Sequence, residues 1–199
     1  MFKELDVENR PRRNAYEYFK GFEDPFFSIT GNVDVSHLYN FANKTASHSP
    51  WRAFFTRFRL RLNDGKVFEY ERVEATQTIL NDDETFSFCY FESKPTVHEF
   101  DEAGKLAREK YKRLKTFDVE SDRLDLIYYS VIPWVSFTSF KHAGRFDNRQ
   151  TVPRIVFGKI FDYGGGKKMP VSVEVNHAMM DGLHVGKFFN QFQAKIDDL

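Results

Sequence analysis

One cysteine, Cys89, stands among 199 residues. That excludes an intrachain disulfide and any metal site built on cysteines. No apolar run approaches the ~20 residues that span a bilayer. The N-terminal stretch MFKELDVENRPRR is polar where a secretory leader has an apolar core. No sign of charge prevails, with 29 Lys and Arg against 29 Asp and Glu, so no global field draws the chain to nucleic acid or an anionic membrane. The few glycines and prolines gather into no linker, and neither an internal repeat nor a low-complexity tract interrupts the chain. These absences suit a cytoplasmic protein of one domain, residues 1–199, long enough to bury a sizeable core.

Phenylalanine is plentiful instead, at 23 residues. Many of these residues fall in short runs: DPFFSI, RAFFTRF, ETFSFCYF. Such a surplus of large apolar side chains fits an aromatic core, a buried subunit interface or an aromatic-lined pocket.

Periodicity divides the rest. Helices are expected over Arg13 to Phe22, from Asp34-Val35-Ser36 through Leu38, Phe41 and Ala42, and over Thr96 to Lys115. The last of these carries Val97, Phe100, Ala103, Leu106, Ala107, Tyr111 and Leu114 at helical spacing. Its basic end, KLAREKYKRLK, is explained by cations at a helix C-terminus, and no aromatic side chains interleave there to stack bases. Leu183 to Ile196 is an amphipathic helix with Val185, Phe188, Phe189, Phe192 and Ile196 on one face.

PFFSITGNVDV reads as a strand pair or an extended segment broken at Gly31-Asn32. SPWRAFFTRFRLRL fits a helix in its first half and a strand in its second. A turn at Asp64-Gly65 opens the alternating run DGKVFEYERVEATQTIL, and ETFSFCYFES places Phe86, Phe88 and Tyr90 on one strand face. LDLIYYSVIPWVSFTSF is a strand entering Pro133-Trp134. TVPRIVFGKIFDYGGGKKMPVSVEVNH is two strands joined at a glycine-rich hairpin, since GGGK lacks the spacing and following helix of a phosphate loop. The expected class is α+β: a two-layer sandwich with a mixed, largely antiparallel sheet and packed helices.

The stretch with chemical interest is VEVNHAMMDGLHVG. Val171, Val173, Val175 and His177 share one strand face, with Ser172, Glu174 and Asn176 on the other. His177 is therefore partly desolvated at a strand end, where a neutral imidazole able to take a proton is favoured. On the residues alone it is either a satisfied core histidine or a general base. Asp181, four residues on, stabilises the turn or pairs with an arginine.

The His-x-x-x-Asp-Gly motif NHAMMDG followed by HVGKFFNQFQ resembles the type A chloramphenicol acetyltransferases. SVIPWVSFTSF is similar to that family's Ser-x-x-Pro-Trp segment, RRNAYEYF to its N-terminal helix and DETFSFCYF to its Glu-Thr-Phe-Ser strand. The likeness runs from about Phe2 to Ile196. It implies acetyl transfer from acetyl-CoA, a cosubstrate, to a hydroxyl of chloramphenicol, with no bound cofactor or metal. By resemblance, His177 is the general base and Ser130 stabilises the oxyanion. Asp181 pairs with an N-terminal arginine, Arg12 or its neighbour Arg13. Phe86 and Phe19 contact the acceptor, and Lys159 lies near the phosphate end of CoA. The family implies a homotrimer with active sites at subunit interfaces.

Three positions depart from the family pattern. Asn176 replaces a second histidine and is expected to affect chemistry little. Val156 stands where some members carry a threonine, which leaves room for another small hydroxyl acceptor. Met179-Met180 is read as packing. A dihydrolipoyl acyltransferase core shares the motif, but the chain carries no lipoyl or subunit-binding segment. A non-catalytic trimer that only captures drug or CoA would be expected to have lost His177 or Ser130.

Overall fold

The structure, a computed structural model, describes residues 1–41, 58–114, 123–143 and 151–198. In chain order its elements are β1 (Phe2–Leu5), α1 (Arg13–Phe19), β2 (Phe26–Asp34), α2 (Ser36–Phe41), β3 (Leu60–Asn63), β4 (Lys66–Tyr70), β5 (Glu74–Leu80) and β6 (Phe86–Phe91). There follow α3 (Val97–Leu114), β7 (Leu126–Ile132), β8 (Arg154–Gly158), β9 (Phe161–Tyr163), β10 (Gly166–Asn176) and α4 (Gly182–Asp197). The larger sheet has the order β2-β10-β8-β7-β5-β6, with β9 also on β10; the smaller is β1-β4-β3. Pairing is antiparallel except for β5 with β7 and β7 with β8. The α+β class with a mixed, largely antiparallel sheet is what the sequence led us to expect. The ambiguous stretch Ser49 to Arg57 and Ala42 lie outside the described residues.

β10 is the spine. Its inner face carries Val171, Val173 and Val175, all fully buried, beneath Val185, Phe188, Phe192 and Ile196 of α4 in one core cluster. The smaller sheet contributes Leu62 and Val67 to the same cluster. Arg61 of β3, fully buried, ties it to the larger sheet by donating to the Leu124 and Leu126 carbonyls. α3 opens on Thr96 and Glu99, which exchange side-chain and backbone hydrogen bonds as a capping box. It packs Phe100, Ala107 and Tyr111 over Ile79, Cys89 and Phe91, while Leu106 and Leu114 of the expected apolar stripe are exposed.

Four expectations change. α1 ends at Phe19 rather than Phe22. β2 runs unbroken through Gly31, which lies in the strand because the Phe189 ring occupies the space a side chain would take, 3.3 Å from a Cβ built there. The alternating run after Gly65 splits into β4 and β5, which belong to different sheets. The run through FGKIF breaks at Gly158-Lys159 into β8 and β9, both on β10. A Cβ at Gly158 would sit 2.5 Å from Pro170 Cγ, so the strand leaves its ladder where β10 presents proline, which has no N–H to share. The turns Asp64-Gly65 and Gly164-Gly165 are two-residue hairpins with positive φ at both positions.

Candidate active site

β10 ends at Asn176, and the ladder continues by one bond, from the His177 N–H to the Pro25 carbonyl at 2.8 Å. The His177 ring then packs between two aromatics. Phe19 is stacked at 3.9 Å between centroids with planes 14° apart, and Phe27 lies at 4.6 Å. Nδ1 is buried without a hydrogen-bond partner, 3.5 Å from Asp181 Oδ1. The side chain nevertheless keeps 32% of its surface, so the accessible part of the ring is the edge away from Nδ1, where Nε2 lies. No serine, threonine or cysteine is hydrogen-bonded to this ring among the described residues. An imidazole held this way has one nitrogen available to a reacting hydroxyl.

The turn behind it is held from three directions. Arg12, one residue before α1, donates Nε to Asp181 Oδ2 at 2.7 Å and NH2 to Oδ1, a two-point fork. The same guanidinium donates to the His177 carbonyl at 2.8 Å and the Ala178 carbonyl at 3.1 Å. Arg13 turns away to Glu8. Burial pushes the Asp181 carboxyl up, but hydrogen bonding and charge from Arg12, with smaller help from His184 and His177, outweigh it and hold it below its ordinary range. Asp181 precedes α4, and its N–H donates to His184 Nδ1 at 2.9 Å, a histidine in the place a capping box gives Glu or Gln. Asn176, 1% exposed, accepts the Ala178 N–H on Oδ1, and its carbonyl accepts those of Met179 and Met180. Both methionines are buried in the core. Sequence reasoning passed over His184 and the turn-holding part of Asn176; the i,i+3 spacing of Asp181 and His184 at a helix start was the available signal.

Ser130 lies elsewhere. It sits on β7 opposite Val156 of β8, which is opposite Ser172 of β10. From Ser172 to His177 is about 16 Å along the strand and from β10 to β7 about 10 Å across, roughly 19 Å in all. One chain therefore does not bring Ser130 and His177 together. The pleat puts Ser130 on the outer face, away from α4, and Phe86, 46% exposed, shares that face with Phe88 and Tyr90. Ser87, Cys89 and Phe91 are the buried side of β6. Lys159 is exposed just beyond β8, its N–H on the Val135 carbonyl.

A cavity of about 840 Å³ lies under α3, lined by Ala75, Gln77, Ile127, Tyr129 and Phe157. These alternate with the residues on Ser130's face, so the cavity belongs to the opposite side of the sheet. A smaller one of about 350 Å³ touches Arg12, Asp181 and His184. Burial pushes the Cys89 thiol up to about 11, which removes it as a nucleophile. Among the described residues no group of three or more His, Cys, Asp or Glu side chains is placed to hold a metal ion, and no helix is long and apolar enough to cross a membrane.

Comparison with known proteins supplies the family. Residues 1–193 match the chloramphenicol acetyltransferase family model. A chloramphenicol acetyltransferase of Staphylococcus aureus is 29% identical, with 98% of this chain and 96% of that protein covered. A solved chloramphenicol acetyltransferase structure superposes with a TM-score of 0.76 over 98% of this chain and all of the other, at 23% identity. The dihydrolipoamide acetyltransferase of Azotobacter vinelandii shares the fold at a TM-score of 0.62 and 12% identity, over 93% of this chain and 86% of that one. The chain belongs to the chloramphenicol acetyltransferase family and is an acyltransferase.

Proposed function

We propose that this chain, as one acetyltransferase domain, acetylates a hydroxyl of chloramphenicol from acetyl-CoA and so inactivates the antibiotic. The observation that carries the reading is His177: a ring clamped between Phe19 and Phe27, its backbone fastened by Arg12, with its Nε2 edge open. Nε2 takes the acceptor's hydroxyl proton as the oxygen attacks the thioester carbonyl. Such base assistance contributes roughly 10²–10⁴-fold. The Ser130 hydroxyl donates to the oxyanion of the tetrahedral intermediate, a contribution on the order of 3 kcal/mol. Collapse breaks the C–S bond, and the leaving thiolate takes the proton back from the imidazolium, giving CoA thiol and the acetyl ester. The absence of a hydroxyl or thiol bonded to the His177 ring among the described residues favours direct transfer within a ternary complex over an acyl-enzyme.

The roughly 19 Å between Ser130 and His177 leads to the assembly. Both groups must reach the same reacting carbonyl, so they come from different copies, and a homotrimer with active sites between subunits meets that need. Phe19 and Phe86 then contact the acceptor from the two sides of the interface, while Lys159 lies toward the CoA phosphates. Arg12 and Asp181 support the catalytic turn.

CoA thiol release by the purified protein, with and without chloramphenicol, beside His177→Ala tests this. Chloramphenicol-dependent release that vanishes in the variant is expected; release unaffected by the substitution removes His177 as base. A second reading, the same chemistry on another small hydroxyl compound, is favoured by Val156, whose fully buried apolar side chain stands beside Ser130. Catalytic efficiencies across a panel of acceptors separate the two.

A further inference from the structure

Asp181 is fastened at every polar group it has. Its carboxylate takes the Arg12 fork. Its carbonyl accepts the N–H groups of His184 and Val185, at 2.9 and 3.2 Å. Its own N–H donates to Nδ1 of His184 at 2.9 Å. Two of these three attachments run to His184, to which the proposed chemistry gives no part.

The bond to Nδ1 fixes the state of the ring. A ring nitrogen accepts a hydrogen bond only while unprotonated, so this imidazole is neutral and carries its hydrogen on Nε2. The side chain is 8% exposed, and it lines the smaller cavity beside Leu5, Val7, Leu60, Val67 and Met179.

The choice of residue also governs charge. A glutamate, a usual acceptor at this position of a capping box, would set a second carboxylate beside the first. His184 Nδ1 lies 3.6 Å from Asp181 Oδ2, the oxygen that accepts from Arg12 Nε. Two carboxylates that close would repel one another and compete for one guanidinium. Histidine supplies the acceptor without the charge, and the Arg12 fork goes to Asp181. The same guanidinium holds the His177 carbonyl at 2.8 Å, so a shift of Asp181 is passed on to His177.

We propose that His184 is a positioning residue for His177. Its neutral Nδ1 sets the Asp181 peptide and, through Arg12, the backbone that carries the His177 ring, while adding no negative charge to the turn. It acts through Asp181 and Arg12 and needs no contact with substrate. This inference rests on His177 being the general base.

The test is steady-state kinetics of His184→Leu, His184→Gln and His184→Glu beside His177→Ala, each well below its melting transition. The acceptor is chloramphenicol, or whichever hydroxyl compound the parent turns over. Leucine removes the hydrogen-bond acceptor; glutamine and glutamate keep one and differ by a charge. His184→Leu should lower kcat roughly 10- to 100-fold, the scale of a reacting group displaced by up to about 1 Å. KM for the acceptor and for acetyl-CoA should stay within about twofold. His184→Gln should recover most of the loss and His184→Glu little of it. A residue that only caps the helix would show the reverse order, since a carboxylate is favoured at a helix N-terminus. If His184→Leu fails to fold, the glutamine and glutamate variants decide the matter. Equal kcat in those two, parental kcat in His184→Leu, or a change confined to KM overturns the inference while leaving His177 as base. Parental activity in His177→Ala, or a parent inactive on every acceptor, removes the base itself and this inference with it.

Discussion

Replacing Arg12 with methionine tests how far the turn after His177 depends on one side chain. Methionine keeps much of the stem and removes four donated hydrogen bonds, two to the Asp181 carboxylate and one each to the His177 and Ala178 carbonyls. Breaking one side of a fully buried ion pair costs about 3–5 kcal/mol. Here 21% of the arginine and 37% of the aspartate side chain remain exposed, so water replaces part of the interaction and about 2–3 kcal/mol is expected. For a chain of this size that is a fall of roughly 4–12 °C in melting temperature. The activity loss should be larger than stability alone explains. The carbonyl of His177 itself is released, and a shift of about 1 Å in a reacting group costs on the order of 10²-fold. Circular dichroism melts and kcat measured below the transition give both numbers. Arg12→Lys keeps the charge but cannot fork between a carboxylate and two carbonyls, so it should recover less than half of either loss. Arg13→Met, removing only a surface pair with Glu8, should stay within about 0.5 kcal/mol of the parent. An Arg12→Met protein melting within about 1 °C of the parent, with undiminished kcat, would refute the assignment.

Burial raises the Glu174 carboxyl, yet hydrogen bonds from His142 and Arg154 outweigh it and bring it from 4.5 down to about 2. Because the folded value lies below the unfolded one, its stabilisation is complete above about pH 4.5 and is lost as pH falls toward about 2. Denaturant titrations of Glu174→Gln across that window should show a shallower fall than the parent, and lower stability at pH 7 because Arg154 is left buried; parallel curves would contradict this. Gly158→Ala places a methyl 2.5 Å from Pro170 Cγ and 2.9 Å from Phe137 and should cost about 1–3 kcal/mol. Gly31→Ala, facing only the Phe189 ring at 3.3 Å, should cost less, and the reverse order in thermal melts would show the β8 break to be misassigned. Ser130→Ala should lower kcat about 10²-fold with acceptor KM little changed; an effect on KM alone would make it a binding residue.

What the sequence disclosed was what neighbours in the chain decide. The valine alternation of β10 and the aromatic stripe of α4 were legible because periods of two and 3.6 identify a buried face without its partner. The Asp64-Gly65 and Gly164-Gly165 turns were legible because positive φ at both positions is a local demand. Gly31 was not, since its reason is a phenylalanine on the last helix. Nor was the break at Gly158, which answers to Pro170 across the ladder. The choice between Arg12 and Arg13 depends on which way α1 faces Asp181. Glu174, Arg154, Tyr128 and Thr76 stand opposite one another across four strands through their register, and no spacing along the chain contains that row.

The separation of Ser130 and His177 is the central claim, and mixed oligomers test it most directly. His177→Ala and Ser130→Ala chains, each nearly inactive alone, would be unfolded together and reassembled. If the two residues meet across a subunit boundary, a Ser130→Ala chain lends its histidine to the serine of a His177→Ala neighbour. Random mixing then restores roughly a quarter of the parent's activity. A mixture no more active than its separate components would contradict the account and place the whole site within one chain.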